Sequence, residues 1–280
     1  MVVLNFSGSG GLYHYYFGIC ACLQDETDVS SLRFKTTSGS CFPVMLLCMG
    51  LPVRSGYRRW VSWSVGLFNR YRIFNSCEWI SLYYKMVYRY CYEVGKVSET
   101  ARWNHTITAT KPNGKTCEIS SYSCIEDYAH VATASAYIPL PWCRPFWNVK
   151  TRNIDLFDGS MGCRTKQPSG LEILVSTTSL SGTRAYGGLF YKWYYTLAGL
   201  VNDCEWMYDA GYSDAKRFLL PQLNIPCAPK FQVSSTDEHN GLNSLRLYYD
   251  SSDYLWLHGF WHTNRNVVFI PTLVGGGFLV

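Results

Sequence analysis

The first fifty residues constrain the fold more than any other stretch. Val2-Val3-Leu4-Asn5-Phe6 is short, apolar and partly β-branched, and it stops at the cluster Ser7-Gly8-Ser9-Gly10-Gly11. This is the pattern of a buried parallel strand running into a tight loop. Leu12 to Leu23 then reads as a helix and Arg33 to Thr37 as a second strand. Phe42 to Gly50 reads as a wholly buried helix, with Pro43 in its first turn, where proline is tolerated. The order strand, glycine loop, helix, strand, sharp turn, helix implies an α/β domain. A three-layer α/β/α sandwich with a mainly parallel central sheet is the economical form.

Beyond this core the pattern is looser. Trp60 to Cys91 reads as helical and aromatic. A hairpin is expected around Thr106 to Ile119, with Pro112-Asn113-Gly114 as its turn. Ala132 to Leu140, Asn153 to Phe157 and Leu171 to Thr178 read as further strands, and Val201 to Leu220 as a helix or helical pair. The remainder is a mixed, aromatic-rich tail.

Composition excludes several classes. Of the 280 residues 48% are apolar and 16% charged, which argues against disorder, and a net charge of +5 is too small to imply nucleic acid by itself. Cys41 to Val53 and Val267 to Val280 fall short of the roughly 20 apolar residues that span a bilayer. The start carries no basic leader, and a chain this long needs few staples. The twelve cysteines therefore read as reduced, mostly buried thiols in a cytoplasmic protein. In that compartment the sequons at Asn5 and Asn104 carry no glycan.

Two features carry chemistry. Backbone N–H groups of Gly8, Ser9, Gly10 and Gly11 lie between a strand and a helix, where unpaired donors and the helix dipole favour negative charge. Such a loop holds a phosphate or the oxyanion of a tetrahedral intermediate, or is simply a tight turn. The second feature is Thr36-Thr37-Ser38-Gly39-Ser40, between a strand and a buried helix. A nucleophile elbow exposes its serine on such a turn, although its usual pattern is G-x-S-x-G and here Thr36 and Ser40 stand in the glycine positions. A shifted register with Ser40 as nucleophile fits worse, because Phe42 would then flank the turn.

The run Phe6-Ser7-Gly8-Ser9-Gly10-Gly11-Leu12, followed by Tyr16-Phe17-Gly18-Ile19 and Cys22-Leu23, resembles the opening of patatin-like lipases, especially the animal triglyceride-lipase branch. Ser38 to Gly50 is similar to that family's serine turn and following helix. Ala134-Ser135-Ala136-Tyr137-Ile138-Pro139 resembles the segment before its second catalytic motif, Asp-Gly-Gly or Asp-Gly-Ala. That motif corresponds to Asp158-Gly159-Ser160, and Ala210 to Asp214 with Arg217-Phe218-Leu219 resembles a late helix. The resemblance runs as ordered islands across residues 1 to 220 and implies a patatin-like acyl-hydrolase domain there, with 221–280 as an extension. It further implies a Ser38–Asp158 dyad without histidine or metal cofactor, an oxyanion hole from Gly8 to Gly11, and a lipid ester substrate met at a membrane or lipid-droplet surface. Thr36, Ser40 and Ser160 depart from the family pattern.

Competing readings start from other residues. A Ser–His–Asp hydrolase would draw on His239, His258 or His262, but that fold places its elbow after several strands. His258 and His262 lack the glutamate of a H-E-x-x-H zinc site, since Gly259 stands there. Basic residues among aromatics from Arg54 to Arg89 suit an anionic lipid surface, a single-stranded nucleic acid, or a helical pair with an aromatic core face and a solvated basic face. A non-catalytic lipid-binding protein derived from the same family is the alternative outside enzymes.

Overall fold

The computed structural model describes residues 2–71, 87–88, 104–139, 144–162, 172–175 and 205–223; for 63–71 and 172 it describes the backbone alone. The chain divides into two compact units, Met1–Gln232 and Val233–Val280. All of the described residues belong to the first. The expected extension beyond Leu223, and His239, His258 and His262 with it, lie outside the described residues.

The N-terminal order appears as anticipated: β1 Val2–Phe6, a 3-10 turn Gly10–Leu12, α1 Tyr13–Glu26, β2 Leu32–Thr37, a 3-10 turn Ser38–Ser40 and α2 Cys41–Cys48. Helix α3, Val53–Tyr71, holds the first part of the expected Trp60–Cys91 helix. The rest of that stretch lies outside the described residues apart from Val87 and Tyr88. β3 His105–Thr110 and β4 Thr116–Ile119 form the expected hairpin.

The central sheet has the order β4-β3-β2-β1-β7, where β7 is Glu172–Val175. β1 pairs in parallel with both β2 and β7, and β2 with β3; only β3–β4 is antiparallel. The pairing aligns Leu4, Phe34 and His105 in one row, and Phe6, Thr36 and Ile107 in the next. All six side chains are buried, so one face of these three strands is closed continuously, as period-two alternation requires. The fold is thus α/β with a mixed, mostly parallel sheet.

One expected strand is a helix. Ala132–Leu140 was anticipated as extended, but α4 spans Ile125–Ser135 and ends in a turn at Ala136. Its start is fixed by an uncommon cap. The Cys124 thiol accepts the Asp127 N–H at 3.4 Å, and the Asp127 carboxylate accepts the Ser123 N–H at 3.0 Å. This reciprocal closure follows the capping-box logic with a sulfur in place of the usual hydroxyl. The expected strand at Asn153–Phe157 forms as β6, Ile154–Leu156, but it pairs with β5, Trp147–Val149, in a separate two-stranded sheet.

Helix α1 is apolar all round, and every residue from Tyr13 to Leu23 is buried. It is covered in part by α5, Glu205–Asp214, which continues as a π-turn at Ala215–Leu219 and a short α6 at Leu220–Leu223. A Cβ on Gly18 would lie 1.9 Å from the Tyr208 carbonyl oxygen, and one on Gly211 would lie 2.0 Å from that of Tyr15. The two backbones therefore touch through one glycine on each helix. The Tyr15 hydroxyl donates to Asp214 at 2.7 Å beside this crossing. From α3, Trp60 packs edge-on against Tyr13 and Phe42 (both centroids 5.6 Å), while Arg54 is exposed and reaches Asp25. The described start of the basic-aromatic stretch thus keeps its aromatics inside and its charges outside. Among the described residues, no helix is long and apolar enough to cross a membrane. Cys20, Cys22, Cys41, Cys48, Cys117 and Cys124 are free thiols.

Candidate active site

The register of the sheet assembles the site. Phe6 lies opposite Thr36, so the glycine loop after β1 and the serine turn after β2 leave the sheet side by side, at the carboxyl ends of parallel strands. Thr37 lies opposite Thr108 on β3. Two residues on, Thr110 exchanges both backbone hydrogen bonds with Phe157 at 2.9 Å, and this bridge delivers Asp158 to the same end. Asp158 is held further by its N–H on the Tyr137 carbonyl (2.8 Å) and by the Thr110 hydroxyl on its own carbonyl (2.7 Å). Gly159 has no alternative, because any Cβ there would sit 2.1 Å from the Thr108 carbonyl oxygen.

Ser38 occupies the left-handed region with φ 60°, a conformation that costs a side-chain-bearing residue about 1–3 kcal/mol. It projects the hydroxyl onto Asp158, and Oγ donates to Oδ2 at 2.5 Å. Ser38 is 5% exposed and Asp158 fully buried. The other carboxylate oxygen, Oδ1, accepts the Ser160 N–H at 2.8 Å and the Ser160 hydroxyl. Burial pushes the Asp158 carboxyl above its ordinary value, opposed in part by the hydrogen bonds from Ser160 and Ser38. No cation offsets that burial among the groups that shift it, so the carboxylate is a stronger base than one in water.

The glycine loop closes against this pair. A Cβ built on Gly8 lies 3.5 Å from Ser38 Cβ and 3.4 Å from Ser160 Cβ, and one on Gly39 would fall 2.7 Å from Ser9 Oγ and 2.8 Å from the Gly10 carbonyl oxygen. Gly10 takes φ 52° where the loop turns into the helical segment, and Gly11 is buried in that first turn. The leading N–H groups of a helical turn have no acceptor within it and are open to an anion.

Both substitutions in the elbow signature are accommodated by hydrogen bonds. Ser40 and Thr37 form a capping box: each side chain accepts the other's N–H, and Ser40 Oγ also reaches the Phe6 and Thr37 carbonyls at 3.3 and 2.9 Å. Ser40 is fully buried and ties the two strand ends together. Thr36 points into the core, with its hydroxyl 2.6 Å from His105 Nε2 and 3.3 Å from Cys41 Sγ. His105 Nδ1 meets the Tyr128 hydroxyl. Burial lowers the His105 imidazole to about 3 and raises the Cys41 thiol to about 12, so both are neutral across the physiological range.

The family resemblance implied a pairing of Ser38 with Asp158 beside the glycine loop, and the fold brings these residues together. It also adds Ser135, His105, Tyr128 and Cys41 beneath the elbow. Ser160 donates to the carboxylate from a position read from sequence only as a departure. Among the described residues no group of three or more His, Cys, Asp or Glu side chains is placed to hold a metal ion. No family model, curated protein or solved structure matches the chain.

Proposed function

We propose that this chain is a lipid acyl-hydrolase of the patatin-like kind, with a three-layer α/β/α sandwich and a Ser38–Asp158 dyad that cleaves carboxylic esters of phospholipids or acylglycerols. The observation that carries the proposal is the 2.5 Å hydrogen bond from a left-handed, turn-borne Ser38 hydroxyl to a buried carboxylate. In the first step Asp158 takes the Ser38 proton while Oγ attacks the ester carbonyl. The oxyanion that forms is met by N–H groups of Gly8, Ser9, Gly10 and Gly11. The intermediate collapses, Asp158 returns the proton to the departing alcohol, and the acyl-enzyme remains. Water, activated by the same carboxylate, then releases the fatty acid. Fixed donors in a dry site need not reorganise, and losing one typically costs about 3 kcal/mol of transition-state stabilisation.

This chemistry draws on no metal or other cofactor. In this reading the substrate is met at the surface of membranes or lipid droplets, in the cytoplasm that the cysteine usage implies. The test is labelling of the purified chain by a fluorophosphonate, in which Oγ displaces fluoride from phosphorus. Wild type labels, Ser38→Ala does not, and Asp158→Asn labels far more slowly. A folded wild-type chain that resists the probe would sink the enzymatic reading and leave a non-catalytic lipid-binding protein. Labelling that survives Ser38→Ala would mean that another residue is the nucleophile.

A further inference from the structure

We infer that Ser135 is a positioning residue for the dyad, fixing Ser38 through its side chain and the Asp158 segment through its backbone. The inference rests on the reading of Ser38 as nucleophile. Ser135 is the last residue of α4 and is fully buried. Its hydroxyl accepts the Ser38 N–H at 2.8 Å and donates to the Thr108 carbonyl at 2.6 Å. Its own carbonyl accepts the Gly159 N–H at 3.0 Å. One residue thus grips the peptide of the nucleophile and the peptide that follows the base, two segments 120 residues apart in the chain.

The direction of the hydrogen bonds is fixed by the backbone, since the Ser38 N–H can only donate and the Thr108 carbonyl only accept, and the chain beneath the turn follows from it. Tyr128 donates to His105 Nδ1, Nε2–H donates to Thr36, Thr36 donates to Cys41 Sγ, and the Cys41 thiol donates to Ser135 Oγ at 3.3 Å. The Ser135 proton is then committed to Thr108, and its oxygen is left to accept from Ser38. Each donor in this series has an acceptor, and His105 and Cys41 stay neutral through the physiological range. Neither of these two groups changes charge beneath Ser38 in that range. Ser38 needs such a grip, because its φ of 60° is held against the preference of the residue.

Removing the hydroxyl leaves the buried Ser38 N–H without an acceptor and frees the turn to relax. A displacement of about 1 Å at a reacting atom costs as much as 10²-fold in rate. With p-nitrophenyl butyrate as substrate, Ser135→Ala lowers kcat by about 10- to 100-fold. KM changes little, and the pH midpoint of the acid limb stays where it is in wild type. Ser135→Thr, which keeps the hydroxyl, recovers most of the loss. Independently of turnover, amide hydrogen exchange at Ser38, followed by NMR, accelerates in Ser135→Ala and not in Ser135→Thr. Wild-type kcat and wild-type exchange in Ser135→Ala overturn the inference while leaving the acyl-hydrolase reading intact. If wild type neither hydrolyses the ester nor takes the fluorophosphonate, that reading fails, and the exchange at Ser38 still decides whether Ser135 holds the turn.

Discussion

Two aspartates in this protein are hidden from solvent and behave in opposite ways. Asp127, at the start of α4, is 1% exposed, and Asp158 is fully buried. Burial pushes both carboxyls up. At Asp127 it is outweighed by hydrogen bonds from Arg152 (2.8 and 2.7 Å), Thr151 (2.7 Å) and the Ser123 N–H, and the carboxyl settles below its ordinary value. At Asp158 only neutral donors are present, burial wins, and the carboxyl settles above it. A guanidinium and a shallower position beneath the surface separate Asp127 from Asp158. Asp127 is a charge stabilised by its surroundings and joins α4 to the turn before β6. Asp158 is a charge the fold tolerates, and a carboxylate kept in that condition is ready to take a proton.

The comparison can be broken most sharply by substituting the two residues. Asp127→Ala leaves Arg152 without its carboxylate partner and α4 with only the Cys124 half of its cap. Breaking a buried pair costs about 3–5 kcal/mol, and the lower end applies here because Arg152 keeps 26% of its side chain in water. Chemical denaturation measures the loss, and a change below about 1 kcal/mol, the range of surface pairs, would remove the pair from its structural role. The pH dependence carries a definite sign. Asp127 has a depressed folded-state pKa, so its contribution is present above the unfolded carboxyl value of about 3.9 and is lost as pH falls through the folded value.

Asp158→Asn runs the other way. A raised folded-state pKa makes the group's contribution greatest below the unfolded value, and that contribution is lost as pH rises through the folded one. At neutral pH the ionised carboxylate therefore weighs against the fold. The variant should melt roughly 2–4 °C higher than wild type at pH 7. The gain should vanish near pH 3, where the Asp158 carboxyl is protonated in the folded and the unfolded chain alike. A lower Tm at pH 7 would place Asp158 in the same category as Asp127.

The smallest effect is expected from Ser160→Ala. Its donors hold the Asp158 carboxyl down against burial, so their partial loss moves the acid limb of the labelling rate to higher pH without abolishing it. An unmoved limb would mean that the Ser160 N–H alone suffices. Paired with Ser135→Ala, which should lower the rate without moving the limb, it separates tuning of the Asp158 carboxyl from alignment of the Ser38 hydroxyl.

Much of this arrangement was legible before any coordinates, for reasons that differ along the chain. β1, α1, β2 and α2 follow from local pattern: a β-branched strand, a glycine cluster, an apolar helix and a proline confined to a first turn. The β3–β4 hairpin follows from Pro112-Asn113-Gly114. The segment before Asp158 misleads because Val131, Thr133, Tyr137 and Ile138 favour a strand individually, and because the cap that starts α4 is a thiol, outside the usual set of capping residues. Glu126 and Asp127 in the first turn were the available signals for a helix. The roles of Ser135, Thr36 and Ser160 could not be read in one dimension. Ser135 meets an N–H 97 residues away and Thr36 an imidazole 69 residues away, while Ser160 folds back onto a carboxylate two residues before it.

The glycine-to-glycine crossing of α1 and α5 has a consequence for the chain as it is made. Tyr15 and Asp214, which flank that contact, are 199 residues apart. At about 5–20 residues per second, α1 leaves the ribosome roughly 10–40 s before the helix that covers it. Throughout that interval the face of α1 that α5 will cover waits open, exposed to chaperones and to its own copies. Yield during expression should therefore respond to slower growth temperature and chaperone supply more than to any surface substitution.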